Sequence, residues 1–166
     1  MGAATRRPPG RAGAPTSHDK ESGTPTELAI HAVNRGGMIV TAGDGRHTVT
    51  MDYPMPGAES EELAGLTPLR MLLASLAACS GNSLAVLLRK MRQPVGEVEV
   101  DARGLRRDEH PSVITEIALE FTVHGAGVEP TAVEEALAIS EEQVCPVWAM
   151  LKGGTPITAT YCVVED

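Results

Sequence analysis

Three cysteines, Cys79, Cys145 and Cys162, are the residues of this 166-residue chain whose type and setting suit covalent chemistry. Cys79 closes the stretch TPLRMLLASLAAC, which opens at Thr67 and in which only Arg70 and Ser75 are polar between Leu69 and Ala78. Cys145 stands in QVCPV, directly before Pro146. Proline disfavours a helical conformation in the residue before it and suits the first turn of a helix after it. Cys145 is therefore expected at a helix junction, beside the N-terminus of a helix over Pro146–Lys152. Unpaired amides and partial positive charge at such a terminus stabilise a thiolate. Cys79 has no such help within its own helix, and an apolar setting raises a thiol's pKa. Its activation calls for a cation from elsewhere in the fold. Arg35, Arg46 and Arg70 are the candidates near it in sequence, and a carboxylate of the Glu59–Glu62 stretch, Glu61 or Glu62, would hold such an arginine.

The residues alone leave two readings open. If the sulfurs of Cys79 and Cys145 meet, a thiolate can attack a peroxide O–O bond, become a sulfenic acid and be captured by the second thiol as a disulfide. An external dithiol then reduces that disulfide by exchange. Alternatively, all three cysteines fill the interior, since cysteine is among the most buried residue types. Cys162, beside Tyr161 near the C-terminus, reads as structural, and Glu61 and Glu62 also read as solvated loop charges. The five histidines are scattered, so no zinc site is expected from the spacing. The chain has no phosphate-binding loop, dinucleotide fingerprint or serine-hydrolase elbow.

The elements that must position these thiols follow from the pattern. Leu69–Met91 reads as one helix, roughly 35 Å long at 1.5 Å per residue. It is apolar nearly all round, so protein should cover it on most sides. The apolar run is broken by Ser80-Gly81-Asn82-Ser83, which argues against a membrane span. Ahead of it, Glu27–Val33, Met38–Ala42 and Arg46–Tyr53 read as short strands, the last two joined by the turn Gly43-Asp44-Gly45. Beyond Gln93-Pro94 the period changes to two. Val98, Val100 and Ala102 alternate with acids, Arg103–Pro111 reads as a charged turn, and Val113–Val123 forms a second half-buried antiparallel strand. Thr131–Val144 returns to helix, Pro146–Lys152 is a short helix, and Ile157–Val164 is a last strand. The order βββ-α-ββ-αα-β is an α+β pattern.

Length fits one domain with enough chain for a core. Residues 1–26, rich in Pro, Gly, Ala and charge, are expected to form a disordered tail ahead of a domain over 27–166. Four aromatic residues leave a core of Leu, Val, Ile, Ala and Met and no stacking platform for nucleic acid. A net charge of −8 disfavours nucleic acid and anionic membranes as partners. Three cysteines make no disulfide framework, so a reducing, cytoplasmic setting is expected.

TPLRMLLASLAACSG, followed by QVCPV, resembles the OsmC/Ohr family of thiol-dependent organic hydroperoxide reductases. VTMDYP, DEHPSVITEIALEFTVHG and the terminal GGTPITATY agree, so the resemblance covers about residues 27–165. It implies an OsmC-like α+β fold with antiparallel sheets around the long central helix, in an intertwined homodimer. It also implies Cys79 as the peroxidatic and Cys145 as the resolving cysteine, no bound cofactor, an external dithiol reductant and an organic hydroperoxide as substrate. The family supports its thiolate with an arginine from the N-terminal strands and a glutamate one or two places after the helix proline. Here Leu69-Arg70 follow Pro68, and Arg35 and Arg46 only flank the arginine position. That departure is what a small-ligand-binding dimer that has lost catalysis would show, and the retained cysteine pair is what an enzyme would show.

Overall fold

The computed structural model describes residues 26–34, 36–54 and 63–165. The expected tail up to residue 25, Arg35, Glu61 and Glu62 lie outside the described residues. The first three strands are β1 (His31–Asn34), β2 (Val40–Gly43) and β3 (Thr48–Met51), a small antiparallel meander. Its second turn is built as the Asp-Gly pattern predicts. The Asp44 carboxylate accepts from the backbone N–H groups of Arg46 and His47 at 2.8 and 2.7 Å. The strands are shorter than the sequence pattern suggests. Leu28 and Ile30, read as strand, precede β1 and are 93% and 69% exposed.

Helix α1 (Pro68–Lys90) starts where Thr67 and Pro68 place it. The Thr67 hydroxyl accepts from the Arg70 N–H at 3.4 Å, and proline takes the first helical turn. The polar stretch Ser80–Ser83 does not break the helix, because its hydroxyls bond back within it. Ser80 Oγ donates to the Leu76 carbonyl at 2.7 Å, and Ser83 Oγ donates to that of Cys79 at 2.8 Å. Leu76, Leu84 and Leu88 on this side are completely buried.

They pack on a second sheet of β4 (Val98–Arg106), β5 (Ile114–His124) and β6 (Ile157–Val164), with β5 central. On β5, Ile117, Leu119, Phe121 and Val123 alternate into the core, each at most 1% exposed. β4 runs antiparallel to β5, as expected. It extends through Arg103–Arg106, which the charge pattern assigns to a turn. It is an edge strand there, so its outward side chains stay solvated, and Arg103 pairs with Glu120 of β5 at 3.0 Å. β6 runs parallel to β5. The crossover between them carries α2 (Pro130–Ile139), a π-helical turn over Ser140–Val144, and α3 (Pro146–Leu151). Gly81 lets α1 approach β4. A Cβ there would lie 2.8 Å from Val100 Cγ2.

Within the described residues, the small sheet packs chiefly on itself. Its visible tie to the rest is a bridge between Met51 and Leu66, with the Asp52 N–H donating to the Leu66 carbonyl at 3.2 Å. Much of α1 away from β4 is uncovered, including Leu72 and Val86 at 37% and 43% exposure. By length and composition alone α1 could cross a bilayer, contrary to the reading of its polar break. Its buried leucines give it the position of a core helix.

Candidate active site

The two cysteines that the sequence singles out lie in contact. Cys79 Sγ and Cys145 Sγ are 2.9 Å apart, and neither is in a disulfide. Cys79 is presented by the middle of α1 and is half-buried, while Cys145 is 1% exposed. Contact is specific to this pair. Cys162 sits on the exposed side of β6 with its Sγ 3.5 Å from Thr122 Oγ1, as a bystander.

Cys145 reaches Cys79 through the π-helical turn. Its backbone N–H donates to the Ser140 carbonyl at 2.8 Å, a wider closure than an α-helix makes. The residue itself is extended, with φ −82° and ψ 104°, as the following proline dictates. The Trp148 N–H then points to Cys145 Sγ at 3.5 Å. Trp148 is 2% exposed and stacks on Phe121 with centroids 6.5 Å apart, fixing that turn to β5. Nothing in the residue pattern announces the π turn. Pro146 marks only its end.

The expectation that helix-end electrostatics make Cys145 an acidic thiol is overturned. Burial pushes it up, from an ordinary 9.0 to about 11, and its hydrogen bond to Cys79 adds to the rise. The Trp148 amide opposes the shift and loses. Desolvation wins because Cys145 is buried in the core while α3 is only 6 residues long. Cys145 is thus the protonated partner, whose S–H points to Cys79, and Cys79 is the thiol with access to solvent.

Among the described residues, neither Arg46 nor Arg70 is brought to the pair. Arg70 lies nine residues before Cys79 on α1, roughly 14 Å along the axis. Arg46 is in the exposed β2–β3 turn. Among the described residues, no hydrogen bond or ion pair joins either arginine to Cys79. Arg35, Glu61 and Glu62 fall outside the described residues. Met71 is half-buried, and Leu72 and Met150 are exposed. No group of three His, Cys, Asp or Glu among the described residues is arranged to hold a metal ion.

Residues 58–160 match the family described as OsmC-like protein. Protein YhfA of Escherichia coli strain K12 is 37% identical over 98 residues, 59% of this chain and 73% of that relative. A hypothetical protein from Aquifex aeolicus VF5 has a crystal structure that superposes with a TM-score of 0.73 at 26% identity, covering 85% of this chain and 99% of that one. An organic hydroperoxide resistance protein OsmC from Legionella pneumophila superposes with a TM-score of 0.60 at 17% identity, covering 81% and 96%, a likeness of fold alone.

Proposed function

Because the chain belongs to the OsmC-like protein family and holds two free thiols in contact, we propose that it is a thiol-dependent peroxidase that reduces organic hydroperoxides. The observation that carries this reading is the 2.9 Å approach of Cys79 Sγ to Cys145 Sγ, with the buried partner protonated. The Cys79 thiolate attacks one peroxide oxygen, the O–O bond breaks, and the departing alkoxide takes a proton and leaves as an alcohol. Cys79 is then a sulfenic acid. Cys145 attacks that sulfur. Its proton and the hydroxyl leave as water, and a disulfide joins the two. An external dithiol restores both thiols by exchange. The cycle uses no bound cofactor. A solved relative of the same fold is described as an organic hydroperoxide resistance protein, which agrees with this substrate class.

The assembly we propose is a homodimer in the cytoplasm, with the exposed face of α1 and the small sheet covered by the second copy. The second copy would then be placed to bring an arginine to Cys79.

One observation favours a second reading, a small-ligand-binding dimer without catalysis: among the described residues, no cation is hydrogen-bonded or ion-paired to Cys79. Intact mass and free-thiol count before and after one equivalent of cumene hydroperoxide separate the two. The peroxidase goes from three thiols to one and loses two hydrogens. Unchanged mass and three remaining thiols would leave the ligand-binding reading.

A further inference from the structure

A second cavity, of about 430 Å³, lies at the start of α1, away from the cysteine pair. It is bounded by the first two turns of α1, the far end of the β4–β5 hairpin and the segment after β3. Its floor is aliphatic: Leu63, Leu69, Leu73 and Ile114 line it, all half-buried. Its rim is cationic, because Arg70 of α1 and Arg106 of β4 line it from opposite elements, both exposed, with Tyr53 at 38% exposure beside them. Among the described residues, no carboxylate lines it. Neither arginine has an ion-pair partner among the described residues. In a chain of net charge −8, two guanidiniums at one apolar cleft, without an ion-pair partner among the described residues, run against the overall charge.

The cleft exists because β4 carries Gly104 there. A Cβ at Gly104 would lie 3.1 Å from Ile114 Cγ2 and 3.2 Å from Leu73 Cδ1, so a side chain would intrude on the floor. The first turn of α1 also lacks any acidic residue, which leaves its positive end uncompensated.

We infer that this cavity is a binding site for a small amphipathic carboxylate, with the Arg70 and Arg106 guanidiniums on the carboxylate and the Leu63–Leu69–Leu73–Ile114 floor under its apolar body. A guanidinium presents paired donors that match a carboxylate, and a partly dry apolar floor strengthens that contact. A size of this order is ordinary for small-ligand sites. The proposal is independent of the thiol cycle, since no residue of the cavity is a cysteine.

Isothermal titration of the full chain with decanoate, below its micelle concentration, tests it. Decanoate should bind saturably at one site per chain. Decanol, with the same tail and no charge, should bind at least tenfold more weakly, and so should decanoate to Arg70→Gln and to Arg106→Gln. Cys79→Ser should bind decanoate as the parent does, whatever its effect on peroxide consumption. Gly104→Val should abolish binding, with circular dichroism showing the fold retained in both arginine variants. Absence of saturable binding, equal affinity for decanol, or unchanged affinity in both arginine variants would overturn the assignment.

Discussion

Cys145 keeps its proton well above neutral pH, and this sets the order of events in the thiol pair. In the peroxidase we propose, a buried, protonated Cys145 does not compete for peroxide, and the more accessible Cys79 attacks. Cys79→Ser should abolish peroxide consumption, because a hydroxyl does not replace a thiolate as nucleophile. Cys145→Ser should react once and stop at a sulfenic acid on Cys79, which a dimedone-type probe followed by peptide mass analysis would locate. Trapping on Cys145 in Cys79→Ser, with none on Cys79 in the reciprocal variant, would reverse the roles. The same proton has a linkage consequence. The folded chain holds it up to about 11, above the ordinary 9.0, so above about pH 9 ionisation favours the unfolded chain. The contribution of the protonated thiol is complete below about pH 9 and is lost as pH rises through about 11. The stability difference between the parent and Cys145→Ala, measured by urea unfolding, should therefore shrink across this alkaline window. A difference that stays flat from pH 8 to 11 would mean that Cys145 is not protonated by burial.

At the scale of elements, the site depends on α1 lying close against β4 and on the π turn delivering Cys145. Leu84 is fully buried on α1, so Leu84→Ala should cost about 2–5 kcal/mol. Gly81→Val places atoms against Val100 where 2.8 Å is already too close, and overpacking of that kind costs about 1–3 kcal/mol. Urea midpoints should fall in both, and Val100→Ala should recover part of the Gly81→Val loss but none of the Leu84→Ala loss. Much of this arrangement is legible in the sequence. Thr67-Pro68 marks the start of α1 to within one residue, the change of period after Pro94 marks β4, and Pro146 marks the junction at Cys145. What the pattern misreads has a physical cause in each case. Arg103–Arg106 look like a turn because an edge strand tolerates charge on its wet side. The pairing of Arg46 or Arg70 with Cys79 is a tertiary matter that no spacing encodes, and one chain does not make it. The acidity of Cys145 was misjudged because a helix end is visible in sequence while the burial that outweighs it is not.

The whole chain leaves apolar surface that a stable monomer would not carry. Leu28 and Ile30 ahead of the small sheet, and Leu72 and Val86 on α1, are exposed at 93%, 69%, 37% and 43%. The small sheet contributes little burial to its own chain. A three-stranded meander with so little backing has marginal stability alone. In the homodimer we propose, a second copy of the chain covers both, with α1 against α1 and each small sheet laid over the partner. Sedimentation equilibrium at micromolar concentration should therefore report a dimer, and unfolding midpoints should rise with protein concentration, since association and folding are linked. Leu72→Glu combined with Val86→Glu puts two charges on the exposed side of α1 without touching Leu76, Leu84 or Leu88. That variant should shift to monomer and lose stability together. If a cationic group from the partner serves Cys79, peroxide consumption should fall with the dimer while the Cys79–Cys145 pair remains able to form a disulfide under a strong oxidant such as diamide. A folded parent monomer at micromolar concentration, or a double variant that stays dimeric and active, would rule out this interface.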